Sequence, residues 1–200
     1  MASQPSDAGH QHFELQALAR CHRLCLPDTA SSRAGLEVLE SLYAGLLQDD
    51  AARVIWDVGP SDAPHLGAFA SGTVRYRETE GRTRRSLGTL AFARLALRVA
   101  AMPMHLLARR RWESLIPHEG IGYLLTLGVA RALVPTSNSR RGGAVLDELE
   151  TWFVARGCSA SFTDTELANE RAHSFYLRQG YLEVSRDFGQ VLLQKPLNRR

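Results

Sequence analysis

The sequence predicts a mixed α/β (α+β) fold, one domain built on a central sheet with helices against it. Three observations predict it. Two hundred residues of ordinary apolar content suffice for a single domain with a real core. The first half reads as two helices and then two strand-like runs. The second half alternates strand, helix, strand, helix before a closing pair of strands, and that alternation argues for a mixed sheet covered by helices.

The elements follow in order. Residues 1–11 are polar. From Phe13 to Leu26 the apolar positions Leu15, Leu18, Ala19, Leu24 and Cys25 recur at helical spacing, and Pro27 and Asp28 close the segment. A second helix is expected from Arg33 to Gln48, with Leu36, Val38, Leu39, Leu42, Leu46 and Leu47 as its apolar stripe. "ARVIWDVG", the turn "PSDAP" and "HLGAFASGTVRYR" read as two antiparallel strands. "RETEGRTRR" is polar and broken by glycine, so it is expected to be a loop. The apolar stretch from Ser86 to Arg109 reads as one helix bent near Pro103, or as two. "IGYLLTLGVA" is a strand buried on both faces, and "GGAVLDELETWFVARG" is a helix stopped by Gly157. "CSASFTD" is a strand, "LANERAHSFYLRQG" a helix, and "YLEVSRDFGQVLLQKPL" a pair of strands.

Composition narrows the function classes. A net charge of +3 is mildly basic, which suits an anionic ligand without indicating nucleic acid. The runs "RTRR" and "ARRRW" lack interleaved aromatics, so they read as a solvated face or an attractor for anions, and no nucleic-acid partner is expected. Cys21, Cys25 and Cys158 have no metal-ligand spacing, so no metal is expected. The N-terminal text lacks a basic start followed by an apolar run, and a reducing cytoplasmic setting is the expectation. Arg94, Arg98 and Pro103 interrupt the most apolar segment, which excludes a transmembrane helix there.

One stretch asks for a chemical explanation. "SNSRRGGAVLDELETWF" sets Arg140, Arg141, Gly142, Gly143 and Ala144 at the start of a helix, where each glycine costs about 1 kcal/mol relative to alanine. The first turn of a helix carries unpaired N–H groups and partial positive charge. Small residues let a diphosphate approach those amides, and arginines add charge at the rim, so the motif is a candidate phosphate cradle.

The motif, Ser139-Arg140-Arg141-Gly142-Gly143-Ala144, resembles the Q/R-x-x-G-x-G/A loop of the GNAT superfamily of acyl-CoA-dependent N-acyltransferases, with serine at the first place. Downstream, Asn169, Ala172, Phe175, Tyr176, Gly180 and Tyr181 fit the N-x-x-A-x-x-F-Y-x-x-x-G-F pattern of such families, with tyrosine for the last phenylalanine. The resemblance covers residues 120–195 and implies a mixed, mostly antiparallel sheet of six to seven strands, with residues 77–116 as a helical insertion in the single domain. It implies direct transfer of an acyl group, acetyl from acetyl-CoA or another acyl-CoA, to a primary amine on a small molecule or peptide. The loop from Ser139 to Ala144 would hold the pyrophosphate. Leu127 and Val129 would pair with the pantetheine arm, and Asn169 would contact the cofactor. Tyr176 would protonate the leaving thiolate.

The chain also departs from the family. The connection from Val129 to Ser139 is longer than usual, so Val134 is a second possible register, which turns the opposite strand face to the cofactor. Val129 is preferred because "LLTLGV" is the more strand-like text and Pro135 suits a loop. No carboxylate lies on "YLLTLGVA" to act as base; His118, Glu119, Asp164 and Glu166 flank the strands and read first as surface residues. The insertion could line an acceptor site, cover the sheet, pack on a second subunit in a homodimer, or lie on lipid. Two rivals stay open: transfer of a longer acyl chain with the insertion as its pocket, and a non-catalytic module that binds CoA or a partner.

Overall fold

The computed structural model describes residues 7–58, 66–100, 103–130 and 138–198. The expected turn at "PSDAP" and the alternative register at Val134 lie outside them. Helices α1 (Asp7–Cys25), α2 (Ala30–Ala34) and α3 (Leu36–Gln48) precede strands β1 (Ala52–Val58) and β2 (Leu66–Thr73). Three helices follow: α4 (Tyr76–Ser86), α5 (Thr89–Ala100) and α6 (Pro103–Trp112). Then come β3 (Ile121–Val129), α7 (Asn138–Ala155), β4 (Ala160–Glu166), α8 (Glu170–Arg178), β5 (Leu182–Asp187) and β6 (Gln190–Pro196). The six strands lie in the order β1-β2-β3-β4-β6-β5, with β3 and β4 parallel and every other pair antiparallel.

Two elements differ from expectation. The helix foreseen over 33–48 is two helices, parted at Gly35, whose φ of 116° an L side chain rarely adopts. The stretch foreseen as a loop, "RETEGRTRR", is most of α4. Its polar text gives no apolar stripe, and tertiary contacts hold it instead. The Thr79 hydroxyl donates to Asp49 Oδ2 at 2.8 Å and lies 2.7 Å from the Thr73 hydroxyl. Arg82 pairs with Asp49 at 3.0 Å, and the Tyr76 ring stacks on Tyr123 with centroids 4.0 Å apart.

Both faces of the sheet are buried. On one, Val145, Leu146, Leu149 and Phe153 of α7 pack with Leu124, Tyr176, Tyr181 and Leu193. This helix sits close because a Cβ on Gly122 would come within 2.2 Å of the Phe153 ring, so glycine provides the slot the ring fills. On the other face, Leu18 and Cys21 of α1 and Tyr43 and Leu46 of α3 cover Val54 and Phe69, while Trp112 of α6 packs on Tyr123 and Phe162. Among the described residues no helix is long and apolar enough to cross a membrane.

Candidate active site

The site begins as a defect in the sheet. Strand β3 pairs with β2 from Tyr123 to Val129, but with β4 only over Ile121↔Ala160, Gly122↔Ser161 and Tyr123↔Phe162. Beyond that point β4 continues on β6 instead, with Asp164 opposite Leu192. The two parallel strands therefore fork, and among the described residues the backbone of β3 from Leu124 onward has no ladder partner on its β4 side. The Thr163 hydroxyl, donating to the Leu124 carbonyl at 3.3 Å, bridges the first gap. An unpaired strand edge lined by a fork is a place where an extended amide-bearing chain can add as a further strand.

A bulge decides which β3 side chains face the site. Gly72 pairs with Leu124 and Ser71 with Thr126, so Leu125 is an extra residue. The side-chain alternation flips there. Leu127 and Val129 pack toward the α7 face, whereas Thr126 and Gly128 point to the α1 side, with Thr126 2.6 Å from Ser71 and Gly128 against Phe69 and Cys25.

At the open end of β3 stands the first turn of α7. As described, the helix runs Asn138–Ala155, so Ser139 to Ala144 lie within the first two turns seen. The stretch Ser139 to Ala144, expected as a loop that holds a pyrophosphate, is helical. Gly142 has a packing reason. A Cβ there would meet Val129 Cγ2 at 3.1 Å and the Phe175 ring at 3.6 Å, so the bare backbone lets α7 press on the strand end. Arg140 is exposed at the helix start. The Arg141 side chain lies over Gly67 and binds Asp57 Oδ2 at 2.7 Å, tying α7 to β1.

Helix α8 supplies the other wall. Asn169 is its N-cap, accepting from the Ala172 N–H at 3.1 Å through Oδ1, which leaves the side-chain NH2 as the group able to reach a ligand. Tyr176 is buried and shares a hydrogen bond with the Thr163 hydroxyl, one residue past the last paired position of the fork. Burial pushes its phenol up to about 12, with the Asp164 carboxylate adding to the shift. Tyr181, the last residue of the downstream pattern, is structural: its hydroxyl donates to Glu150 Oε1 at 3.0 Å and lies 2.8 Å from Ser161.

On the opposite face of β4, the Tyr123 hydroxyl donates to Asp164 Oδ1 at 2.6 Å. Burial, with the nearby Asp164 charge, holds the Tyr123 phenol well above the usual range, so it stays a donor. Of the four carboxylates and imidazoles considered as a base, His118 and Glu119 are exposed before the closed end of β3, and Glu166 is exposed at the end of β4. Asp164 alone is partly buried at the fork. Spacing gave no sign of the Tyr123–Asp164 pair, because the two residues lie on different strands. Only the register of β3 on β4 brings them together. No His, Cys, Asp and Glu cluster suited to a metal occurs among the described residues.

The comparisons with known proteins agree with this geometry. Residues 106–181 match the family model described as "Acetyltransferase (GNAT) family". Among solved structures, the chain is similar to an aminoglycoside 6'-acetyltransferase type Ii (TM-score 0.58, 13% identity, covering 100% of this chain and 97% of that one). It is similar to the Escherichia coli ribosomal-protein-S18-alanine N-acetyltransferase (0.56, 12%, 100% and 94%). It is also similar to the PaiA N-acetyltransferase of Thermoplasma acidophilum in complex with coenzyme A (0.56, 11%, 94% and 93%). At these identities the likeness is one of fold. No curated protein matches the chain.

Proposed function

We propose that this chain is an acyl-CoA-dependent N-acyltransferase of the GNAT superfamily and moves an acetyl group from acetyl-CoA directly to a primary amine. The observation that carries the reading is the fork between β3 and β4, with a helix N-terminus at its open end and a buried tyrosine just past its vertex. The residues present fit the cofactor. An unpaired β3 edge at Leu127 and Val129 suits the amides of a pantetheine arm, and the start of α7 suits a diphosphate. Bound acyl-CoA supplies the activated thioester.

The protein's part is to hold and move protons. Tyr176 keeps its proton throughout the ordinary pH range and donates it at the leaving sulfur. Its raised pKa weakens it as an acid in water, but a thiolate expelled into the same buried fork is desolvated too and becomes correspondingly basic. Asp164, on the other face of β4, takes the proton from the attacking amine nitrogen, while the Tyr123 hydroxyl fixes the orientation of its carboxylate. Acid and base then sit on opposite sides of one strand, one for the departing sulfur and one for the incoming nitrogen. Two of the similar structures are an aminoglycoside 6'-acetyltransferase and a ribosomal-protein-S18-alanine N-acetyltransferase, which supports an amine on a small molecule or peptide.

The test is calorimetry with acetyl-CoA, then an amine panel read by release of free thiol. Saturable acetyl-CoA binding and amine-dependent thiol release are expected. Failure to bind acetyl-CoA would overturn the reading, and tighter binding of medium-chain acyl-CoA would replace acetyl with a longer acyl group.

A further inference from the structure

The three helices between β2 and β3 carry an exposed apolar surface. Helix α5 has no buried residue. Its inward side, Ala91 and Leu95, packs on Ala34, Val38 and Leu87. The outward side presents Leu90, Ala93, Leu97 and Ala100, all exposed and spaced as one face of a helix. That face is the reverse of a solvent-facing one, where polar and charged residues belong. Leu90 is 64% exposed and Leu97 73%, and Met104 and Leu107 on α6 are exposed as well.

The charged residues on α5 and α6 are all basic, with Glu37 against Arg94 and Asp187 against Arg111. Helices α5 and α6 contain no aspartate or glutamate and carry Arg94, Arg98, Arg109, Arg110 and Arg111. Beside the stripe lies a cleft of about 430 Å³ lined by Arg33, Ala34, Arg94, Leu97 and Arg98. Leu97 thus belongs both to the stripe and to the cleft. The acids that touch the lining arginines hold them weakly: Asp28 on Arg33 at 2.9 Å is 88% exposed, and Glu37 on Arg94 at 3.4 Å is 84% exposed. An anion entering the cleft can exchange with both, and guanidinium groups take phosphate oxygens in a fork.

We propose that α5 docks on the surface of an anionic lipid bilayer, with the Leu90–Leu97 stripe among the acyl chains and a lipid headgroup phosphate in the Arg33–Arg94–Arg98 cleft. The combination of an apolar face with a basic flank is that of a helix lying in the membrane plane. A second copy of the chain fits worse. A two-fold contact through α5 would bring Arg94 and Arg98 of both copies to one seam, where like charges repel. A specific protein partner also fits worse, because the stripe is leucine and alanine without a polar side chain to set register, and a bilayer requires no register.

Flotation of the full chain with vesicles tests this, comparing phosphatidylcholine alone with phosphatidylcholine containing phosphatidylglycerol. The wild type is expected to float only with the anionic vesicles and to be released by salt. Arg98→Gln should weaken partition by about fivefold, the loss of one surface arginine. Leu97→Glu should weaken it by at least about tenfold, from lost apolar insertion alone. Both residues are exposed and distant in sequence from the fork, so unchanged melting and unchanged acetyl-CoA binding would show each variant folded. No flotation, equal flotation with neutral vesicles, or flotation that Leu97→Glu leaves intact would overturn the proposal. So would a concentration-dependent dimer that Leu97→Glu dissociates, which would assign the face to a second copy.

Discussion

Replacing Tyr176 by phenylalanine removes one oxygen from the centre of the fork and little else. The ring keeps its neighbours, Phe175 and Tyr181, each with a centroid 5.4 Å away. The lost hydrogen bond is the one to Thr163, whose hydroxyl still donates to the Leu124 carbonyl at 3.3 Å. No buried group is orphaned, so the stability cost is that of one ordinary hydrogen bond, about 1 kcal/mol. The catalytic cost is larger. A positioned general acid contributes about 10²–10⁴ in rate, or about 3–5 kcal/mol of barrier. The pH dependence separates the two. With its pKa pushed up to about 12, Tyr176 stays protonated far above neutrality, so the wild type should show no alkaline fall in kcat from this group until the pH nears 12. The variant should then run parallel to the wild type, lower by a constant factor. Burst and steady-state thiol release would measure kcat, and calorimetry would measure acetyl-CoA affinity. Equal kcat in the variant, or a loss confined to acetyl-CoA binding, would refute the assignment.

Other expectations follow from the same contacts. Asp164→Asn keeps an acceptor for the Tyr123 hydroxyl but no base, so kcat/KM should fall about 10²–10⁴-fold. The deficit should shrink as rising pH delivers more amine already unprotonated, and a pH-independent deficit would make Asp164 a positioning residue. Gly142→Ala sets a helix-propensity gain of about 1 kcal/mol against a 3.1 Å contact with Val129, so its melting temperature should barely move. Gly142→Val must displace Val129, costing about 1–3 kcal/mol, and acetyl-CoA affinity should fall with it in calorimetry. His22, with Nδ1 2.7 Å from the Tyr43 hydroxyl, is held down to about 4 by burial, below its unfolded value of about 6.5. The unfolded chain binds the extra proton, so stability present above pH 6.5 is lost as pH falls toward 4. The total is about 3 kcal/mol, and thermal melts of His22→Gln should lack that slope.

What the sequence revealed and what it concealed divide along a physical line. The Asn169–Tyr181 pattern was legible because several of its positions do local work: a cap at Asn169, a left-handed stop at Gly180 with φ 87°, and inward rings between them. Strand β3 was legible as an apolar run, and it sets Leu127 and Val129 on the α7 face. The bulge at Leu125 that sets this face was not visible, because a bulge is a property of the pairing with β2. Helix α4 was hidden for the same reason. Its anchors are Asp49, Thr73 and Tyr123, each supplied by another part of the chain.

Asp164, the proposed base, was the largest gap between sequence and structure. A search along the central strand for a carboxylate finds none, since the strand carries a tyrosine at 123 and no acid. The parallel register places Tyr123 opposite Phe162, and residues two apart on a strand share a face, so Asp164 falls on the side of Tyr123. Thr163, between them in sequence, must then face the other way, toward Tyr176. One three-residue segment of β4 thus sorts its neighbours to two sides of the sheet at the point where pairing with β3 ends. A one-residue slip of β4 would exchange them, bringing the carboxylate to Tyr176, the proposed acid, and the hydroxyl to the side of Tyr123. The chemistry therefore depends on register as much as on residue identity, and the three paired positions before the fork are what hold that register.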